Sequence, residues 1–302
     1  MTGAFSYSGR AITARLLESG RSVRTLTGHP ERAPAGTPVA VRPLDFADRR
    51  GLRDSLDGVT TLYNTYWVRF AWGTVDHDAA VANSRALFEA ARDAGVRRIV
   101  HVSITNPSSD SPFSYFRGKA EVERIVAGTG VSHAIVRPAV LFGGDGVLLN
   151  NIAWLLRRLP VFAVGGDGRY RLRPIHIDDL ARLCVRVGDE AGGNVTVDAV
   201  GPERPTFREL VDQVGRAIGC RRPIVSLPGC VIPAVAGLVG VAVRDVLLTA
   251  DEYQAMAAGL ADTPTPATGD TRLSEWLAAH GANLGTHYAH EIDRHFSSAH
   301  AA

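Results

Sequence analysis

The chain has 302 residues, enough to bury one large core or a core with a smaller lobe, and length alone prefers neither. With 45% hydrophobic and 21% charged residues and a formal net charge of +2, composition excludes a disordered chain and a polyanion-coating surface, so no nucleic-acid partner is expected. Cys184, Cys220 and Cys230 form an odd set without C-x-x-C spacing, which argues against a disulfide framework or zinc site and for a reducing, cytoplasmic setting. The N-terminus shows no basic segment followed by an apolar run, so export is not expected.

Apolar runs of strand length alternate with amphipathic runs of helix length through the first two-thirds of the chain, the pattern of a parallel sheet wrapped by helices. In order, the spacing predicts a helix over 9–19, a strand over 22–27, a strand near 39–42, a short helix around Leu52 and a strand over 59–64. A helix over 77–94, a strand over 98–103, a helix over 115–127 and a strand over 133–137 follow. Beyond Phe142 the regularity weakens to helices over 148–159, 178–187 and 207–219, with a glycine-rich turn at 165–168. That half is expected to carry substrate specificity.

Residues 224–243 carry no charge and are long enough to raise the question of a membrane span. Pro228, Gly229, Pro233, Gly237 and Gly240 instead resolve them into a short strand over 224–227, a turn and an apolar helix from Ile232. We read this as core of a soluble protein with no transmembrane segment, leaving a peripheral membrane contact open. A loop over 262–270 precedes two short terminal helices, at 274–280 and near 288–296.

Gly3-Ala4-Phe5-Ser6-Tyr7-Ser8-Gly9-Arg10 opens the first helix. Gly3 and Gly9 match the outer glycines of a G-x-x-G-x-x-G turn, and Ser6 stands at the middle position. Glycines are needed where backbone approaches a pyrophosphate, and the helix N-terminus then aims N–H groups at the anion. A Rossmann unit needs a hydrophobic strand before this turn, yet Met1 stands immediately before Thr2-Gly3. The first strand is therefore expected to be truncated, the true start lying several residues upstream.

The next strand ends at Thr27 without the acid that would bind a ribose 2′-hydroxyl, while Arg10, His29 and Arg32 are candidates to face a 2′-phosphate. NADP is expected over NAD. Asp45-Phe46 would suit an adenine edge and face, or else be a helix-opening acid beside a core aromatic. Tyr63-Asn64-Thr65-Tyr66-Trp67, with Phe70 and Trp72, sits after a strand where open parallel sheets place ligands, and could roof the nicotinamide or simply pack. His176 with Asp178 and Asp179 reads as helix capping rather than a metal pair, and no metal is expected. No G-x-S-x-G elbow, H-E-x-x-H pair or P-loop lysine occurs, which removes the common hydrolase and triphosphatase chemistries.

Lys119 is the only lysine among 33 basic Lys and Arg residues. It follows Tyr115 by four positions, so both project from one helix face. A compact ammonium can hydrogen-bond cofactor ribose hydroxyls and lower a nearby phenol's pKa, which a guanidinium does less well. An exposed surface pair at the same spacing is the alternative.

The Tyr-x-x-x-Lys pair, the glycine turn and Arg137-Pro138-Ala139-Val140-Leu141-Phe142-Gly143 together resemble the extended and atypical short-chain dehydrogenase/reductases. Within them the chain is most similar to the NmrA-like group and the NADPH-binding accessory subunit of respiratory complex I. Asn83, Gly166-Asp167-Gly168 and Gly201-Pro202-Glu203 extend the resemblance over nearly the whole chain. It implies an α/β fold, a doubly wound parallel Rossmann sheet, with residues 1–142 as NAD(P)-binding core and 143–302 completing the sheet and forming a smaller C-terminal substrate lobe. It further implies Tyr115 as general acid/base, Lys119 as its modulator and ribose ligand, Thr105 or Ser103 as the hydroxyl holding a substrate oxygen, and Pro138 beside the nicotinamide. Phe5, Ser6, Tyr7, Ser8, Asn64, Thr65 and Tyr66 complete the expected cofactor set. The implied function is an NADP-dependent oxidoreductase or epimerase acting on a small carbonyl or alcohol. The alternative is a non-catalytic NADP(H)-binding redox sensor or assembly protein.

Overall fold

The computed structural model describes residues 1–71, 75–190 and 193–296. In chain order the first elements are α1 (Tyr7–Glu18), β1 (Arg24–Thr27), β2 (Ala40–Pro43), α2 (Arg49–Asp54), β3 (Thr61–Asn64), α3 (His77–Asp93), β4 (Arg98–Val102), α4 (Ser114–Gly128) and β5 (Ser132–Pro138). There follow β6 (Val140–Phe142), α5 (Val147–Arg158), β7 (Phe162–Gly165), β8 (Pro174–His176), α6 (Ile177–Asp189), β9 (Val195–Ala199), α7 (Phe207–Ala217) and β10 (Ile224–Leu227). The last are α8 (Ile232–Val243), α9 (Ala250–Ala257), α10 (Leu273–His280) and α11 (Glu291–Phe296). The chain divides into two units, Met1–Pro138 with Leu180–Ala199, and Ala139–Asp179 with Val200–Ala302.

Local chemistry sets the boundaries in the first unit. Helix α1 starts where the Ser6 hydroxyl accepts from Gly9 N–H, buries Ile12 and Leu16, and gives way to Gly20 at φ +73°. Helix α3 is capped by Asp76 and buries Ala80, Ser84, Leu87, Phe88 and Ala91, one stripe at helical spacing. Strands β3, β4 and β5 are buried over most of their length, as expected of a parallel sheet covered on both faces.

Four strands pair in parallel in the order β3-β4-β5-β9, and β1 pairs in parallel with β2. The two sheets meet through the first residues of the chain. Thr2 forms an isolated parallel bridge to Leu26, Thr2 N–H donates to the Tyr63 carbonyl at 3.0 Å, and Leu26 N–H donates to the Met1 carbonyl at 2.8 Å. Gly3 N–H also donates to the Leu26 carbonyl at 3.0 Å, so residues 1–3 join β1 to β3. Leu26, Leu52, Leu62, Phe88, Ile99 and Val126 are among the residues that fill the core.

In the second unit β6 pairs with β8 and β7 with β10, both in parallel. Phe142, Ile152, Leu156, Phe162, Leu172, Leu210 and Leu273 belong to its core. Helix α7 opens with a complete capping box, Thr206 and Glu209. Strands β6, β7, β8 and β9 and helix α9 are additions to the elements expected from sequence. No helix among the described residues is long and apolar enough to cross a membrane.

Candidate functional site

Between Thr2 and α1 the chain makes a tight turn. Gly3 adopts φ +61°, and a Cβ on Gly9 would lie 1.9 Å from the Gly3 carbonyl oxygen. Gly9 is therefore required by backbone contact and Gly3 by its left-handed conformation. Ser6, standing where the pattern has its middle glycine, is drawn into the turn: its hydroxyl donates to the Gly3 carbonyl at 2.7 Å and accepts from Gly9 N–H at 3.3 Å. That hydroxyl proton is thus engaged within the turn itself. Phe5, Tyr7 and Ser8 are half-buried around it and Arg10 is exposed. A backbone-tight turn running into the N-terminus of a helix fits the pyrophosphate of a dinucleotide, because N–H groups of a first helical turn lack intrahelical partners.

The carboxyl ends of β3 and β4 lie beside this turn and are unusually polar inside. The Thr2 hydroxyl accepts from Thr65 N–H at 2.8 Å and Tyr66 N–H at 3.1 Å and donates to Asn64 Oδ1 at 2.9 Å. Asn64 Nδ2 in turn donates to His101 Nδ1 at 3.0 Å. Burial, with the nearby Lys119 charge second, holds the His101 imidazole well below its ordinary pKa. His101 is therefore neutral, with its proton on Nε2. Thr65 and Tyr66 are pinned above the sheet by the same threonine, and Asn83 donates to the Tyr66 hydroxyl at 2.8 Å.

Helix α4 presents Tyr115, Lys119 and Glu123 at successive i, i+4 positions. Lys119 is only 3% exposed, and its ammonium donates to the Val102 carbonyl, the last residue of β4, at 3.0 Å. Above it lies Trp67, with the amine 4.7 Å from the ring centroid. Burial lowers the Lys119 pKa from its ordinary 10.5 to about 7, against the opposing pull of Glu123. Tyr115 is half-buried and meets both Trp67 and His77 edge to face, with centroids 5.7 and 5.5 Å apart. The indole sits so close to α4 that a Cβ on Gly118 would come within 2.8 Å of it. An exposed surface pair, the alternative read from spacing, does not describe this amine.

Of the two candidate hydroxyls, Ser103 is 3% exposed and donates to Glu123 at 2.5 Å, while Thr105 is fully buried, its N–H donating to the Pro138 carbonyl at 3.0 Å. The expectation that Ser103 holds a substrate oxygen gives way to an internal role, since its proton serves a buried carboxylate. Arg137 pairs with that same Glu123, to which its Nε donates at 2.9 Å. Glu123 was not anticipated from sequence. Its place one helical turn beyond Lys119 is the signal that would have marked it. Pro138 is buried at the end of β5.

The residues expected around the adenosine half gather near the end of β1 and the segment after β2. Thr27 accepts from His29 N–H at 3.0 Å, and His29 Nδ1 lies 3.1 Å from Glu31. Arg32 is half-buried. Asp45 is exposed and accepts from Ala47 N–H at 2.9 Å, and Phe46 packs on Tyr66 with centroids 4.7 Å apart. Of the aromatic cluster, Phe70 is buried, and Trp72 lies outside the described residues. In the second unit, Asp179 accepts from Thr271 N–H at 2.8 Å and serves the fold rather than a ligand.

Residues 3–152, about half of the chain, match the family model described as NAD(P)H-binding. The chain is 28% identical over 218 residues to the 40 kDa subunit of mitochondrial NADH-ubiquinone oxidoreductase from Neurospora crassa, covering 72% of this chain and 57% of that protein. It is 29% identical over 208 residues to a 4-hydroxy-2-methyl-3-oxo-4-farnesyl-3,4-dihydroquinoline-1-oxide ketoreductase of Stigmatella aurantiaca, covering 61% of each. It spans only 23% of an uncharacterised Mycobacterium tuberculosis protein to which it is 29% identical over 218 residues. Among solved structures, an NADPH-dependent quinone oxidoreductase of Escherichia coli complexed with NADPH has the same fold, with a TM-score of 0.74 at 22% identity over 92% of this chain and 98% of that one. Citrobacter triphenylmethane reductase is alike, with a TM-score of 0.74 at 19% identity over 93% and 98%. Residues 3–152 thus belong to the NAD(P)H-binding family, in line with the chain's resemblance to the atypical short-chain dehydrogenase/reductases.

Proposed function

We propose that the protein is an NADP(H)-dependent oxidoreductase acting on a small carbonyl or alcohol, with Tyr115 moving the proton and Lys119 binding the nicotinamide ribose. The carrying observation is Lys119 itself: the chain's single lysine is buried at the carboxyl end of β4, on the helix face it shares with Tyr115. Gly3, Gly9 and the first turn of α1 would hold the pyrophosphate, Arg10, His29 and Arg32 the 2′-phosphate, and Asp45 with Phe46 the adenine. When bound, the nicotinamide supplies or accepts the hydride. Tyr115 donates its phenolic proton to the carbonyl oxygen during reduction and takes it back during oxidation. Lys119, once charged and beside the phenol, favours the phenolate and so makes that transfer easier near neutral pH. Trp67, lying over Lys119 and against Tyr115, excludes water from both and would shift or frame the ribose when cofactor enters.

The test is Tyr115→Phe. NADPH affinity should be retained while carbonyl-dependent NADPH oxidation falls by about 100-fold or more, the usual worth of a general acid. Unchanged turnover would remove Tyr115 from the mechanism. Two observations favour a second reading, in which the protein binds NADP(H) without turning it over. Trp67 already covers Lys119 and the edge of Tyr115, and a relative is a subunit of mitochondrial NADH-ubiquinone oxidoreductase. NADPH that stays unoxidised across a broad carbonyl panel, yet binds tightly, would select this alternative.

A further inference from the structure

All twelve residues of α8 are apolar. Ile232, Ala236 and Gly240 are buried at i, i+4 and i+8, which accounts for one face. The opposite face, where a surface helix ordinarily carries polar residues, consists of Ala234, Gly237, Leu238, Val241 and Ala242, all exposed. Leu238 and Val241 are 75% and 80% exposed. Nor are exposed apolar side chains scattered: the large ones among the described residues are Leu159, Val161, Val225, Val231, Leu238 and Val241. Pairing of β7 with β10 gathers the first of these, since Phe162 N–H donates to the Pro223 carbonyl at 2.9 Å and Ala163 lies opposite Val225.

Charge in the segment that carries this face has one sign. From Gln213 to Arg244 there is no acidic residue, and Arg216, Arg221, Arg222 and Arg244 are the charged side chains. The flanking acids are engaged elsewhere: Asp212 pairs with Arg216, and Asp245 is buried, accepting from the N–H groups of Glu291 and Ile292 at 2.9 and 3.0 Å. Arg221, Arg222 and Arg244 are exposed, and Asp251 on α9 is the next exposed acid along the chain.

We propose that α8, with the apolar side chains of β10 and its approach, docks on an anionic lipid bilayer. The helix lies in the interfacial plane, Leu238 and Val241 entering the acyl boundary and the arginines supplying attraction to anionic headgroups. A helix of twelve residues is about 18 Å long, too short for the roughly 30 Å hydrocarbon core, so it lies on the membrane rather than crossing it. A bilayer suits the face better than a protein does. One side of such a helix presents on the order of 200 Å², far below the roughly 800 Å² that each partner gives a standard protein interface. It also lacks the Trp and Tyr that anchor such interfaces. This inference is independent of the cofactor assignment.

Flotation of the full chain with phosphatidylcholine vesicles, with and without phosphatidylglycerol, tests it. The protein should float with the anionic vesicles, bind roughly tenfold more weakly to phosphatidylcholine alone, and be released by high salt. The double variant Leu238→Asp, Val241→Asp should stay at the bottom of the gradient while its melting temperature and NADPH affinity match the parent chain. Absence of flotation with any vesicle overturns the proposal, as does flotation that the double variant leaves unchanged. A concentration-dependent dimer abolished by the same variant, without vesicle binding, would assign the face to a second copy and also overturn it.

Discussion

The carboxyl ends of β3 and β4 and the outer face of α8 depart from ordinary burial in opposite directions. Around the strand ends, Thr2, Asn64, His101, Ser103, Lys119 and Glu123 are buried polar or charged groups. On α8, aliphatic side chains stand in water. In the first region most of these groups hydrogen-bond one another, which holds a polar interior in one geometry, with His101 Nε2 buried and unpartnered. In the second nothing within the protein compensates. The contrast separates two kinds of signal, since a buried polar network suits a small ligand placed with accuracy, whereas an uncovered apolar surface suits something large and soft.

The largest effect that would break this comparison is at the turn. Gly9→Ala puts a methyl group where the Gly3 carbonyl oxygen is, and we expect about 2 kcal/mol of destabilisation in urea melts with NADPH affinity lost. Wild-type affinity in that variant would mean the turn does not cradle the cofactor. Glu123→Gln comes next. It leaves the half-buried Arg137 facing a neutral amide beside Ser103 and should cost about 1–3 kcal/mol, read as a lower urea midpoint with unchanged slope.

Lys119→Met sharpens the electrostatic side. Unfolded, the lysine titrates near its ordinary 10.5 and folded at about 7, so below pH 7 both states carry the proton and the full cost of burying the charge is felt. Between pH 7 and 10.5 the unfolded chain holds a proton the folded one has shed. Stability therefore rises with pH in that window, by up to about 1.4 kcal/mol per unit. The difference between parent and Lys119→Met in denaturation measured at several pH values isolates this contribution. A flat difference would show that the amine is not desolvated. The same variant should weaken NADPH binding roughly tenfold or more, the worth of a charge-assisted hydrogen bond. The smallest expected change is Trp67→Phe, which keeps an aromatic over the amine and should alter stability by about 1 kcal/mol or less. NADPH addition to the parent should perturb Trp67 emission, and the spectral change should vanish in the variant.

Much of the first unit is legible in the chain because its elements are long and carry internal period. The run of alanines and leucines in α3 and the β-branched strands around Ile99 and Val136 announce themselves, and Gly20 and Gly95 mark the stops. Strands β6 and β8 have three residues each, too few for alternation to register, and β9 is only partly buried. Helix α9 is a different case: Thr249 and Glu252 form a capping box that could have flagged it. At the site, the i, i+4 relation of Tyr115 and Lys119 is local and can be read. The placing of Trp67 over Lys119, of Thr2 under Thr65 and of Asn64 against His101 comes from tertiary contacts between separate strand ends, for which no local pattern exists.

A final consequence follows from the chain's single lysine lying beneath an indole. Apart from its N-terminus, the protein offers amine-selective reagents one nucleophile, and that one is shielded in the folded state yet, with a pKa near 7, substantially unprotonated under mild conditions. Acylation of this position therefore registers movement of the covering ring, and NADPH held as proposed should slow it. The rest of the exterior, whose positive charge is carried by arginine side chains, would remain silent to the same reagent.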